Sequence, residues 1–152
     1  MIIREITDAD FGGLMRLYAQ LGPNNPVPEK DGNALAVWQS ILADKNHYII
    51  VAEEDGKVVS SCVCVIIPNM THVQRPYAIV ENVVTDSEYR CRGYATACLD
   101  RAREIAESEN CYKIMLATGS KRESTIRFYE RAGYDRTQKT AFIQRLPNKG
   151  EF

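Results

Sequence analysis

The segment from Val83 to Thr96 holds the residues best suited to chemistry. A β-branched run there passes through Asp86-Ser87-Glu88-Tyr89 into Arg90-Cys91-Arg92-Gly93-Tyr94-Ala95 and then directly into a helical pattern. A basic, glycine-containing turn that feeds a helix N-terminus suits an anion. The first N–H groups of a helix lack intrahelical acceptors, the helix dipole favours negative charge there, and Gly93 and Ala95 leave the main chain open to approach. Arg90 and Arg92 add positive charge. The turn has one glycine where a dinucleotide fingerprint needs three, and it lacks the Gly-Lys-Ser/Thr of a phosphate loop. An ordinary surface turn with two solvated arginines has the same spacing, so the residues alone leave both readings open.

The elements that must position this turn follow from periodicity. Ile2 to Ile6 reads as a strand, and Thr7-x-x-Asp10 is a capping box ahead of a helix with Phe11, Leu14, Met15, Tyr18 and Leu21 on one face, stopped by Gly22-Pro23. The loop Gly22 to Glu29 precedes a second amphipathic helix with Leu35, Trp38, Ile41 and Leu42. His47 to Ala52 and Val58 to Ile67 flank Glu54-Asp55-Gly56-Lys57, a strong hairpin signal. After a loop from Pro68 to Pro76, Tyr77 to Thr85 is a further strand. Gly93 to Asn110 is a helix with the stripe Ala95, Cys98, Leu99, Ala102, Ile105 and Ala106. Tyr112 to Thr118 is a strand, and Ser120-x-x-Glu123 is expected to cap a shorter helix holding Ile126, Phe128, Tyr129 and Ala132, closed by Gly133. From Tyr134 a final strand or hairpin is expected, clearest over Thr140 to Leu146. With no repeat, linker or low-complexity tract, one α/β domain over residues 1–152 is the economical reading.

Composition narrows the function classes. The 152 residues carry a formal net charge of -1, but residues 1–88 hold 6 Lys and Arg against 12 Asp and Glu, whereas residues 89–152 hold 13 against 8. A nucleic-acid-binding chain or a polybasic membrane anchor is not expected, while an anionic ligand in the second half is allowed. Five cysteines without a C-x-x-C pair argue against a zinc site or a disulfide framework, so no metal and a reducing cytoplasm are expected. The N-terminus reads as no signal peptide, and the longest apolar run, Cys62 to Ile67, is too short to span a bilayer.

Two motifs carry a resemblance. Arg90-x-x-Gly93-x-Ala95, between a strand and a helix, resembles the Arg/Gln-x-x-Gly-x-Gly/Ala signature of the GNAT superfamily of N-acetyltransferases. Phe128-Tyr129-Glu130-Arg131-Ala132-Gly133-Tyr134 resembles that family's Phe-Tyr-x-x-x-Gly-Phe/Tyr. Glu81-Asn82-Val83-Val84 and Asn110-Cys111-Tyr112-Lys113-Ile114 are similar to stretches of the glucosamine-6-phosphate N-acetyltransferases. The resemblance implies an α+β fold, with a mixed, mostly antiparallel central sheet flanked by about four helices and a splayed parallel strand pair at an acetyl-CoA site. It implies that Asn82, Val83, Val84 and Thr85 pair with the pantetheine arm, and that Arg90, Cys91, Arg92, Gly93, Tyr94, Ala95 and Thr96 hold the pyrophosphate. Ser124, Phe128 and Arg131 complete the cofactor residues it implies. Ala95 stands where glycine is commoner, and Arg122 where many members have asparagine near the pantetheine. A homodimer is a family expectation.

Acetyl transfer to an amine makes two proton demands. An alkylammonium with pKa about 10.4 must lose a proton before it attacks, and Glu81, in the apolar run Ala78 to Val84, is the candidate base, its pKa raised by partial burial. A carboxylate that points to solvent or only binds substrate is the alternative. The leaving thiolate takes up a proton, and the phenol of Tyr129, protonated at neutral pH, suits that task, whereas without the second motif it reads as a core aromatic. A backbone N–H near Asn82 or Val83 is placed to polarise the thioester carbonyl. Cys91 as a nucleophile, His72 in the acceptor pocket and Arg145 as an anion ligand are weaker candidates beside solvated readings. The reaction expected is direct acetyl transfer to a small primary amine in a ternary complex; a non-catalytic acyl-CoA sensor and a protein N-acetyltransferase are the alternatives.

Overall fold

The computed structural model describes residues 1–23 and 25–147. The chain divides into two compact units, Met1–Leu116 and the part from Ala117 onward. The first contains a five-stranded sheet in the order β1-β2-β3-β4-β5, formed by β1 (Ile2–Glu5), β2 (His47–Glu54), β3 (Lys57–Ile67), β4 (Tyr77–Thr85) and β5 (Ile114–Leu116). Neighbours are antiparallel except β4 and β5, which are parallel. The expected mixed, mostly antiparallel sheet is therefore present.

Its central strand explains itself chemically. Every residue of β3 from Val58 to Cys64 is buried, because helices cover both faces of the sheet and a run of apolar and small uncharged side chains satisfies both. On one face, α1 (Phe11–Tyr18) and α2 (Gly32–Ala43) bring Phe11, Leu14, Leu17 and Trp38 against Ile49, Val51, Val63 and Val84. On the other, α4 (Tyr94–Ser108) buries Cys98, Leu99, Ala102, Ile105 and Ala106, most of its expected stripe. The Cys62 and Cys64 thiols there reach the carbonyls of Cys98 (3.5 Å) and Ala102 (3.9 Å). Burial pushes the Cys64 and Cys98 thiols up to about 12 and Cys62 higher still, so all three are inert packing. Two buried serines on β3 spend their hydroxyls on neighbouring strands, Ser60 on Val84 O (2.9 Å) and Ser61 on Ile50 O (2.8 Å).

Element ends differ from expectation in physically clear ways. Thr7 N–H donates to the Asp10 carboxylate (2.7 Å), as a capping box should, but a 3-10 turn, Asp8–Asp10, comes before α1. Bonds from Gln20 N–H to Leu17 O and Leu21 N–H to Tyr18 O tighten the chain, so α1 ends before Gly22 and Leu21 is exposed. Leu42 is also exposed. The Pro68–Pro76 loop contains a single turn, Thr71–Gln74 (α3), in which His72, Val73 and Gln74 are left-handed with φ of 53°, 56° and 56°.

In the second unit the helix α5 (Glu123–Arg131) starts at Arg122, not at Ser120. The Ser120 hydroxyl instead accepts from Arg122 N–H (3.3 Å) and donates to Thr125 (3.1 Å). The expected final strand is absent among the described residues. Asp135 takes bonds from the N–H and hydroxyl of Thr137 and from Gln138, which fixes a turn, and Phe142, Ile143 and Leu146 then lie exposed. β-branched and aromatic residues favour a strand only where a neighbour supplies the ladder, and no ladder partner is found for Thr140 to Leu146 among the described residues.

Candidate active site

The site grows from a defect in β4. Ser61 pairs with Val84 and Val63 with Glu81, so Asn82 and Val83 together oppose the single residue Cys62. This is a β-bulge, and Asn82 accommodates it at φ 50°, a conformation that asparagine tolerates better than its β-branched neighbours. On its other edge β4 pairs with β5 only at Ala78, Ile79 and Val80, opposite Ile114, Met115 and Leu116. Beyond Val80, β4 continues to Thr85 with no β5 partner. A strand presents its N–H and C=O groups to alternate edges, so part of the backbone of Glu81–Thr85 stands ready to pair with an extended ligand.

The free edge leads into the basic turn. Asp86 N–H bonds Val59 O (2.8 Å), and the Asp86 carboxylate, held below its ordinary range by Lys57 (2.9 Å) and by the N–H of Glu88, caps the 3-10 turn Ser87–Tyr89. Lys57 and Arg92 lie 4.9 Å and 5.3 Å from the centre of the Tyr89 ring, which in turn meets Tyr94 edge-on at 6.0 Å. Arg90 Nε donates to Thr85 O (3.3 Å). Cys91 (φ 60°) and Gly93 (φ 86°) turn the chain into α4, whose first bond from Ala97 N–H to Gly93 O (3.0 Å) leaves the N–H groups of Tyr94, Ala95 and Thr96 ahead of the ladder. A Cβ on Gly93 would meet nothing within 4 Å, so open space adjoins these donors. Tyr94 itself is buried, and burial together with the neighbouring Glu54 carboxylate raises its phenol above the ordinary range. Free backbone on an extended strand, followed by a helix N-terminus flanked by two arginines, fits a ligand with an amide-bearing arm and a polyphosphate, which acyl-CoA is.

The candidates thus fall into two groups. In the first unit Glu81, Asn82, Val83, Val84, Thr85 and Arg90 to Thr96 form one continuous run along the edge and turn. Val84 and Tyr94 are buried, so they offer backbone only. Glu81 is exposed, contrary to the partial burial expected of it: it precedes the bulge, in regular register with Val63, and strand alternation groups it with half-buried Ile79 and not with buried Ala78 and Val80. In the second unit, α5 carries Ser124, Phe128, Tyr129 and Arg131. Phe128 and Tyr129 are half-buried, with ring centres 5.0 Å apart, and Tyr129 meets Tyr134 edge-on at 6.3 Å. Arg122 and Arg131 are exposed.

Of the weaker candidates, His72 stacks on Tyr112 at 3.7 Å, Arg145 is exposed in an irregular stretch, and Cys91 is exposed. The supports of the turn, Ser60, Lys57, Tyr89 and Glu54, were not singled out from sequence. Only the Asp-Gly hairpin, which carries Glu54 and Lys57 to this end of the sheet, hinted at them. No cluster of potential metal ligands is found among the described residues, and no helix among them is long and apolar enough to cross a membrane.

A mixed sheet with a bulged strand, a parallel pair that ends at Val80 and Leu116, and an open helix N-terminus matches the fold expected of an acyl-CoA-dependent transferase. The family model for the acetyltransferase (GNAT) family matches residues 13–134, and the chain belongs to that family, whose members use acetyl-CoA. A solved structure from Agrobacterium tumefaciens strain C58, described as an acetyltransferase, is 39% identical with a TM-score of 0.91, covering 96% of this chain and 100% of that one. The glucosamine 6-phosphate N-acetyltransferase of Trypanosoma brucei brucei is 34% identical over 79 residues, 52% of each chain. An uncharacterised N-acetyltransferase of Methanocaldococcus jannaschii is 27% identical over 137 residues, 88% of this chain and 60% of that one. The matches thus span about half to three-fifths of these two curated relatives.

Proposed function

We propose that the protein transfers acetyl from acetyl-CoA to a primary amine of a small molecule by direct attack in a ternary complex, its two units working as one acetyltransferase domain. The observation that carries this reading is the free edge of Glu81–Thr85 running into the open N-terminus of α4. The family match spans both units and supports their joint action. When bound, acetyl-CoA supplies the acetyl group and a thiolate leaving group. The unpaired backbone of Val83 to Thr85 holds an extended arm. The N–H groups of Cys91 to Thr96, with Arg90 and Arg92, hold the phosphates. Glu81 takes the proton from the acceptor ammonium, directly or through a water, which its exposure allows. The N–H of Asn82 or Val83 stabilises charge on the carbonyl oxygen as the C–N bond forms and the C–S bond breaks. Tyr129 delivers a proton to the leaving sulfur.

Amino sugar phosphates are the acceptor class that the trypanosomal relative favours. The five free cysteines agree with a reducing cytoplasm. The exposed Phe142, Ile143 and Leu146 provide apolar surface for a second copy, as a homodimer requires. Tyr129→Phe separates an enzyme from a sensor: turnover falls about 100-fold with CoA affinity kept within about twofold, as loss of a general acid should produce. A phenylalanine variant with wild-type turnover refutes the role of Tyr129. A wild type that binds CoA yet acetylates no amine, whether small molecule or peptide, refutes catalysis.

A further inference from the structure

The phenol of Tyr18 is used by nothing described so far. It lies on α1, packed against the cluster that contains Val63 and Val84, the β3 and β4 residues on either side of the bulge. Its oxygen is shielded from solvent and has no hydrogen bond of acceptable geometry. Burial pushes the phenol up to about 12, so it stays a proton donor, and the polar side chain beside it is that of Asn82, on the bulge. A buried hydroxyl without a partner is costly, and such groups are rare enough in folded proteins to need a reason. A second departure from ordinary geometry sits beside it, the left-handed Asn82 at φ 50°. Two local costs at one point of a binding strand mark a place where geometry is held for use.

Resting on the acetyl-CoA reading of β4, we infer that Tyr18 is a positioning residue acting through Asn82, its O–H donating to the Asn82 side-chain oxygen when an acyl thioester lies along the free edge. The bond fixes the bulge residue in its left-handed state and so aims the N–H groups of Asn82 and Val83 at the thioester carbonyl. Without ligand the bulge has no such demand, and the phenol is left unpaired. Thioester binding favours the paired arrangement because only that arrangement presents both donors, which is the differential contact that a shift between states requires.

The test is a double-mutant cycle with Tyr18→Phe and Asn82→Gly, glycine keeping the left-handed backbone without the side chain. Acetyl-CoA affinity is measured by calorimetry without an amine, exchange of the Asn82–Val84 amides in the complex by NMR, and the melting temperature of the free protein by calorimetry. Tyr18→Phe is expected to melt at or above the wild-type temperature, since it removes an unpaired buried hydroxyl. It is also expected to bind acetyl-CoA about fivefold more weakly, with faster amide exchange, as loss of one hydrogen bond implies. In the double variant the loss does not exceed that of Asn82→Gly alone. Wild-type affinity and exchange in Tyr18→Phe overturn the inference, as do additive losses or a lowered melting temperature, which would mark an ordinary structural bond. A wild type that fails to bind acetyl-CoA overturns the site reading and this inference together; one that binds while Tyr18→Phe binds equally overturns this inference alone.

Discussion

Gly93→Ala isolates the geometry of the anion turn. Gly93 sits at φ 86° and ψ 0°, and an added Cβ meets no atom within 4 Å, so the substitution introduces backbone strain and no clash. A non-glycine residue in the left-handed region costs about 1–2 kcal/mol. Arg90, Cys91 and Arg92 around it are exposed and lightly tied, so the turn relaxes in the free protein and its melting temperature falls by no more than a few degrees. Binding must then restore the strained geometry, and about 1.4 kcal/mol corresponds to a tenfold loss of CoA affinity. Calorimetric titration with CoA reads this directly. Gly32→Ala is the matched control, since Gly32 has φ 47° and open space as well but lies at the start of α2; it is expected to bind CoA as the wild type does. Wild-type CoA affinity in Gly93→Ala, or an equal loss in Gly32→Ala, refutes the reasoning.

Three further outcomes follow from the same structure. Glu81→Gln is expected to lower kcat/KM for the amine about 100-fold at neutral pH, with partial recovery at high pH where the amine deprotonates unaided; a flat, undiminished pH–rate profile would exclude it as base. Replacing Arg90 and Arg92 by glutamine should weaken CoA binding and flatten its salt dependence, checked by titration at two ionic strengths, and unchanged salt dependence would leave the arginines as surface charge. Arg4 chelates Asp10 through two 2.8 Å bonds and holds its carboxyl down at about 2, below the ordinary 3.8. A depressed carboxylate stabilises the fold above its unfolded pKa and loses that contribution as pH falls from about 4 to about 2, so Asp10→Asn should cost about 2 kcal/mol at pH 7 and remove that acid-limb loss in denaturant titrations.

Much of the sheet was legible because its signals are local. Asp55-Gly56 between two β-branched runs gives the β2–β3 hairpin, and the stripe from Cys98 to Ala106 gives the buried face of α4. The anion turn was legible for the same reason, since strand, glycine and helix start are adjacent in the chain. What the sequence hid depends on partners far along it. Glu81 looks buried in an apolar run, but alternation along β4 sets it apart from buried Ala78 and Val80, and the bulge that follows it, opposite Cys62, is a register shift with no signature in one strand alone. The phenol of Tyr18 reads as one more face residue of α1, and only the fold brings it to Asn82. Thr140–Leu146 has every local mark of a strand and no ladder to join among the described residues. The left-handed run His72 to Gln74 contradicts the preference of valine and is held by contacts outside its own segment: His72 on Tyr112, and Arg75 on the carbonyls of Asn110 and Cys111.

The measurement that bears most directly on the central claim is mass spectrometry of a panel of primary amines, including amino sugar phosphates, polyamines, aminoglycosides and amino acids, each incubated with the protein and acetyl-CoA. At least one amine is expected to gain a single acetyl group with release of one equivalent of free thiol, and Tyr129→Phe is expected to slow this gain. A protein that binds CoA but leaves every amine unmodified would contradict the claim.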